Sequence, residues 1–546
     1  MKCNELNILT RDERVRDYVL PSRIVLYGGN ISNLDSLLRI KPLQITTRED
    51  DYFSVRGSAY IVLDFGRELS GGVRILTFRG NCGVRLRFGE SLSEACAELK
   101  GEADGATATN DHANRDFTAT LVFMSDQRYG ETGFRFLRID FPSGAEADIS
   151  GIVAVFEHLD LKRRGYFNCS DPLLNQIFDT AAYTVELCMQ SMLWDGIKRD
   201  RLVWIGDLHP EAIAIHSLFG YNSIIERALE FEKNRTLLPG FMNNKATYSL
   251  WWLCIFADEY MQNGDTVFFK KHIGYAEDFI VLLDSLTAED GTLLFGSERN
   301  DYFLDWPTFA HTERKAGTHA LCAYALKKVK PFLSSKSASI ADRILSRLKT
   351  NLCGGSFKQV AALKALAGHM PLDIAGRQLA DGGAKGLSTF MSYYILSALS
   401  DAGQGSDSLN ILRRYYGGML DKGATTFWED FDIDWLSGSG RIDELPKAGE
   451  KDIHGDFGAH CYKGFRHSLC HGWSAGPVPY LMNYVLGVRP LSPGCTVISV
   501  KPEICDLDFA EGVYPTPKGD IKICHRRKND AIITNLDVPD GINVIK

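Results

Sequence analysis

Over residues 1–160 apolar and polar positions alternate at or near period two, with Gly and Asn between the runs. Tyr60-Ile-Val-Leu-Asp64, Val73-Arg-Ile-Leu-Thr-Phe78, Val84-Arg-Leu-Arg-Phe88 and Phe134-Arg-Phe-Leu-Arg-Ile-Asp140 are the clearest cases. Such alternation predicts strands with one buried face, and their number predicts an N-terminal β-sandwich domain over 1–160. The period changes at Ser170-Asp171-Pro172. Asp171 can cap a helix and Pro172 suits its first turn. Behind them Leu173, Leu174, Ile177, Phe178, Ala181, Val185 and Cys188 recur at helical spacing. Helical signals then continue to about residue 487, for example in Leu250–Phe256, Ala338–Leu366 and Thr389–Leu399. A stretch of that length, 161–487, suits a toroid of paired helices at least as well as a simple bundle. Past Pro490 strands return in Cys495–Val500 and Gly519–Cys524, with a turn expected at Tyr514–Pro517. They predict a small C-terminal β-sandwich domain over 488–546.

Composition narrows the partners more than the fold. The 546 residues suggest three or four domains, and 45% apolar with 24% charged residues is an ordinary globular balance. A net charge of −8 argues against nucleic acid or an anionic membrane surface and suits a neutral substrate. No stretch approaches the roughly 18 apolar residues of a membrane span. The segment Met1–Asn7 lacks the apolar run of a signal peptide. The thirteen cysteines are scattered and never spaced Cys-x-x-Cys. They read as buried thiols in a reducing compartment, so the expectation is cytoplasmic, with neither a disulfide frame nor a zinc site.

The chemistry concentrates in a few aromatic-rich acidic segments. In Trp194–Asp207 the carboxylates Asp195, Asp200 and Asp207 lie five and seven residues apart, Arg199 and Arg201 flank the middle one, and Trp204 follows. Pro210 opens a new helix that carries Glu211. One reading is a binding loop at the mouth of the helical domain. The other has Asp207 capping the helix and the remaining charges in solvated ion pairs. Gly423-Ala-Thr-Thr-Phe-Trp-Glu-Asp430 sets Glu429 beside Trp428, where an apolar wall would tune its proton affinity; the alternative is an amphipathic edge with Glu429 in water. Asp430, Asp432 and Asp434 imitate a calcium loop, but Trp435 stands where Gly is needed and Arg441 where Glu is. His467 and His471 have metal-ligand spacing without a Glu-x-x-His partner, so hydrogen bonding in a pocket is the better reading. Asp301-Tyr-Phe-Leu-Asp305-Trp306 adds two carboxylates beside aromatic rings. Acidic and aromatic clusters on distant loops of one helical domain suit a sugar cleft, and a glycosidase needs two carboxylates across the scissile bond.

These motifs resemble glycoside hydrolase family 78, the α-L-rhamnosidases, and the resemblance covers nearly the whole chain. Lys198-Arg-Asp-Arg-Leu-Val-Trp-Ile-Gly-Asp207 is similar to that family's Arg-Asp-Glu-Arg-x-Gly-Trp-x-Gly-Asp segment. Gly423–Glu429 is similar to its Ala-Thr-Thr-x-Trp-Glu segment, and Ser468-Leu-Cys-His471 to its Ser-Leu-Asn-His stretch. Gly66–Gly72 and Glu131–Phe136 fit its preceding β-domain, and 487–520 its C-terminal one. The resemblance implies a multidomain chain with an (α/α)6 barrel flanked by β-sandwiches, inverting hydrolysis of an α-L-rhamnoside, a carbohydrate partner and no cofactor. It implies Glu429 as base, Asp200 as acid, Asp195 and Asp207 as ligands of sugar hydroxyls, and His471 and Trp252 in the pocket wall. Two positions depart from the family: Asp200 stands where it has Glu, and Val203 where it has Gly. The shorter Asp200 leaves Glu211 as an alternative acid. It also leaves open a different sugar, or a glycan-binding homologue without activity. An acid–base pair of this kind should face across roughly 6.5–9.5 Å.

Overall fold

The computed structural model describes residues 10–98, 115–297, 300–308, 311–348, 355–459, 462–529 and 531–545. Strands β1 (Arg14–Val19), β2 (Arg23–Ser32), β3 (Phe53–Gly89), β4 (Asp116–Val122), β5 (Ser125–Phe141) and β6 (Glu146–Leu159) form one hydrogen-bonded sheet, with helix α1 (Leu92–Cys96) following β3. Run straight at about 3.3 Å per residue, β3 would far outreach the domain. It turns instead at Gly66 and Gly71, whose φ of 88° and 141° glycine adopts without strain. Its first leg pairs with β2, its middle leg with the start of β5 and with β6, and its last with β4. The folded sheet encloses Phe53, Ile61, Leu63, Val73, Ile75, Leu86, Phe88 and Phe134. These include the inward positions of the alternating runs.

Strand β7 (Tyr166–Cys169) leads to α2 (Pro172–Cys188), α3 (Leu208–Phe219), α4 (Ser223–Arg235), α5 (Ala246–Asn263), α6 (Thr266–Ser285) and α7 (Glu313–Val329). After them come α8 (Ser335–Leu348), α9 (Lys358–Leu366), α10 (Leu372–Ala380), α11 (Ser392–Asp401), α12 (Gly405–Asp421) and α13 (Pro477–Tyr480). Asp171 caps α2 by accepting from Leu173 N (2.9 Å), with Pro172 in the first turn. The stretch 338–366 divides between α8 and α9. Helices α3, α5, α7, α9, α11 and α13 each pack on the next, and α13 returns to α3. All twelve residues of α3 are buried, whereas α8 buries one stripe only. That contrast separates an enclosed helix from one on the outside.

The chain ends in β8 (Val488–Pro490), β9 (Val497–Val500), β10 (Phe509–Thr516), β11 (Gly519–Lys528), β12 (Ala531–Asp537) and β13 (Asn543–Ile545). They form two small sheets, ordered β12-β11-β10-β7 and β13-β9-β8. Two details differ from the periodicity reading. Strand β7, within the stretch read as helical, adds an edge to the C-terminal sheet through β10. The β10–β11 turn is at Pro517–Lys518, since Tyr514–Thr516 remain in strand.

The first sheet is tied to the helices by buried charge. Glu90 accepts from Ser468 Oγ (3.0 Å) and Leu469 N (2.7 Å), and lies 3.3 Å from Lys198 Nζ. Glu94 pairs with the same ammonium at 2.8 Å and with Arg115. Removing one partner of such a set leaves the others desolvated and uncompensated. Glu90→Leu is therefore expected to destabilise the protein by about 3–5 kcal/mol, read as an earlier denaturant midpoint; a loss under about 1 kcal/mol would mean the cluster relaxes freely.

Candidate active site

A cavity of about 530 Å³ opens where the loop before α3 meets segments 427–431 and 466–473. The loop is pinned from both sides. Gly472 N donates to Asp195 O (2.8 Å), and Gly196 and His471 form an isolated β-bridge. Within it Asp195 Oδ1 accepts from Leu202 N (2.8 Å), closing a turn whose tip, Asp200 and Arg201, has left-handed φ of 56° and 53°. Aspartate enters that region more readily than most side chains, because its short polar arm bonds locally. The tip sends Asp200 into the cavity, where its Oδ2 accepts from Trp204 Nε1 (3.2 Å).

Glu429 faces the same space from the facing segment. Its backbone is fixed by three hydrogen bonds. Its N–H donates to Ser468 O (2.9 Å) and its carbonyl accepts from Thr389 (2.6 Å) and Trp473 (2.9 Å), while Ser474 holds the preceding carbonyl at 2.5 Å. Its Oε2 accepts from Ser468 N (3.1 Å), and Oε1 accepts from Arg199. The same guanidinium lies 3.3 Å from Asp200 Oδ1, so one cation touches both carboxylates. His471 Nε2 stands 3.8 Å from both Glu429 Oε1 and Asp195 Oδ2. Burial pushes the Glu429 carboxyl up, opposed by Arg199. Burial likewise drives the His471 imidazole well below its usual value, keeping the ring neutral.

Asp207 occupies the N-cap position of α3 but makes no capping bond. Its Oδ1 accepts from the Tyr248 hydroxyl (2.6 Å), and burial pushes its carboxyl up to about 7. The capping reading is thereby displaced by a wall of the cavity. Trp204, Trp306 and Arg199 line it as well. Four expected residues do not. Trp252 is buried a helical turn below Tyr248, donating to Leu229 O (3.1 Å) and stacking on Phe256. Trp428 is fully buried against Phe431 and His467. Asp305 accepts from Ser388 beneath the surface. Glu211 is fully buried outside the lining, with neither oxygen hydrogen-bonded, and Gly472 allows its close approach because a Cβ there would overlap it. Burial holds the Glu211 carboxyl well above its usual range.

Lys245, Tyr248, Asn300, Phe303, Arg466 and Trp473 complete the lining and were missed. Trp473 and Arg466 sit inside or beside the His467–His471 motif, which was signal enough. Lys245 and Tyr248 precede the more conspicuous Trp251-Trp252 pair. His467 Nε2 accepts from Asp430 N (2.9 Å), a hydrogen bond of the kind read from the sequence. Among the described residues, Glu90, Glu94 and His454 could converge on a metal. Their oxygens already face Lys198 and Arg115, and His454 bonds Ser91 (2.7 Å) and His467 O (2.8 Å).

These buried acids set a pH dependence. Asp207 and Asp430 are pushed up to about 7 by burial, and burial holds Asp195 well above its usual value as well. Unfolded carboxyls titrate near 4, so the folded chain keeps protons the unfolded chain has released, and this contribution to stability falls as pH rises. Buried His467 and His471, with lowered values, act oppositely, but only up to the unfolded histidine value. The melting temperature is therefore expected to fall between about pH 6.5 and 8. A rise across that window would contradict the protonated state of these acids.

Comparison with known proteins gives the chain its relatives. Residues 162–332 match the family model for the bacterial α-L-rhamnosidase six-hairpin glycosidase domain, and 487–545 that for the bacterial α-L-rhamnosidase C-terminal domain. An α-L-rhamnosidase of Alteromonas sp. (strain LOR) is 23% identical over 88% of this chain and 55% of its own length. Among solved structures, the family 78 rhamnosidase of Bacillus sp. GL1 superposes with a TM-score of 0.73 at 20% identity, covering 93% of this chain and 55% of that one. The rhamnosidase of Klebsiella oxytoca, solved with rhamnose bound, gives 0.68 at 18% identity, covering 86% and 96%. The chain spans about half the length of the first two relatives. It resembles the bacterial α-L-rhamnosidases of glycoside hydrolase family 78, and shares with them a helical domain flanked by β-sheet domains.

Proposed function

We propose that the chain is an inverting α-L-rhamnosidase that releases terminal L-rhamnose from a glycan or glycoside. The observation that carries this reading is Glu429 and Asp200 on one cavity, with Asp195, Asp207 and His471 between and beside them. In this reading Glu429 takes a proton from water on one face of the sugar while Asp200 protonates the departing oxygen on the other. Asp195, Asp207 and His471 offer hydrogen-bonding groups to sugar hydroxyls, and Trp204, Trp306 and Trp473 offer flat faces to its C–H side. The closed sequence of packing among α3, α5, α7, α9, α11 and α13 supports an (α/α)6 barrel, with these six helices inside. Ten free cysteines among the described residues support a cytoplasmic setting. Proton NMR of the first-formed anomer tests the mechanism: the product is expected with inverted configuration, and retention overturns it.

One feature favours a second reading. Lys245 and Arg466 face the cavity, as cations would for a sugar carrying a carboxylate. Aryl rhamnosides and aryl uronides assayed side by side separate the two.

A further inference from the structure

The helices that meet the acidic cavity at one end meet another cavity farther along. It measures about 540 Å³ and shares no lining residue with the first. On α5, Tyr248 faces one and Asp258 the other. Ten residues at 1.5 Å each set them roughly 15 Å apart along the axis.

Its wall combines aromatic faces with polar groups whose charges are already matched. Lys328 donates to Asp258 Oδ1 (2.6 Å), and Asp258 Oδ2 lies 2.9 Å from His209 Nε2. An ammonium has three N–H groups, so two remain. Arg489 is matched by Asp401 at 3.1 Å. Hydrogen bonds of the neutral side chains are incomplete. The Tyr324 hydroxyl has no hydrogen-bond partner among the described residues, and Asn483 Oδ1 is a buried acceptor with none, although its Nδ2 donates to Tyr393 (3.4 Å). Pockets of this size, mostly apolar or aromatic with a few convergent polar groups, are the usual form of a small-ligand site.

We infer that this cavity is a second binding site, taking a small uncharged polyhydroxylated ligand such as a mono- or disaccharide. Tyr324 and Tyr393 present rings to the C–H face of a sugar. The free N–H groups of Lys328 and the Tyr324 hydroxyl reach its oxygens, and Asn483 Oδ1 accepts from one of its hydroxyls. A carboxylate or phosphate ligand fits worse, because each cation already holds a carboxylate and Asp258 would repel an anion. The inference is independent of what the first cavity does.

The test reads the site directly. Met261 lines this cavity and no methionine lines the other. In the full chain carrying 13C-methyl methionine, the Met261 signal is assigned with Met261→Leu and followed during titration with L-rhamnose, D-glucose and D-glucuronate. A neutral sugar is expected to shift it saturably, and Tyr324→Phe to weaken that binding about fivefold, the worth of one hydrogen bond. The same variant should hydrolyse an aryl glycoside as the wild type does. No shift with either neutral sugar at about 100 mM, well beyond the millimolar range of a weak site, overturns the proposal. So does a response to glucuronate alone, or a neutral-sugar response indifferent to Tyr324→Phe.

Discussion

Turnover of an aryl α-L-rhamnoside is expected to drop by about 10²–10⁴ in Glu429→Gln, the range that a positioned general base contributes. The carboxylate is immobilised by Arg199 and by Ser468 N, and a neutral His471 stands 3.8 Å away. Glutamine keeps the shape and one oxygen but takes no proton. Its amide must turn an N–H₂ toward either Arg199 or Ser468 N, so binding has to be measured apart from turnover. Calorimetry with L-rhamnose is expected to give an affinity within a few-fold of wild type while kcat collapses. Activity within about tenfold, a barrier change of only ~1.4 kcal/mol, would remove Glu429 from the role of base.

Asp200→Asn is expected to cost as much, about 10²–10⁴, but only for substrates whose leaving group needs a proton. A rhamnoside with an alkyl or sugar aglycone should show the full loss. One with a nitrophenolate leaving group should show far less, because that oxygen departs as a stable anion. An equal loss on both substrates would assign Asp200 to binding. Glu211→Gln is the matched control. Its carboxyl is enclosed and absent from the cavity lining, so its substitution should act on folding and leave the leaving-group dependence unchanged. Asp200→Glu is not a simple repair. The left-handed backbone at this position suits Asp, and a longer side chain there carries a strain of roughly 1–2 kcal/mol. The departure from the family's Glu therefore has a local backbone correlate.

Much of the architecture was written in one dimension. Period-two runs such as Val73–Phe78 and Val84–Phe88 became legs of one folded strand, and Asp171-Pro172 began a helix where its chemistry required. Both signals act between near neighbours, through side-chain alternation and a cap bond two residues long. Strand β7 was invisible for the opposite reason. Four residues carry almost no periodicity, and their partner β10 lies more than three hundred residues away.

The site divides along the same line. Sequence by itself singled out the loops that meet at one cavity, since Asp195, Asp200, Asp207, Glu429 and His471 stand in dense acidic or aromatic motifs and all line it. Tertiary structure alone decided which way the neighbours turn. Trp252 and Tyr248 are four apart on one helix face, yet one turn of about 5.4 Å separates the cavity wall from the core. Trp428 and Glu429 are adjacent in an irregular segment, yet only Glu429 lines the cavity while Trp428 is fully buried. Asp207 gives up its capping bond because the Tyr248 hydroxyl, brought by another helix, is the partner within reach. Burial and partners arise from segments distant in sequence, and no spacing rule along a single strand of text contains them.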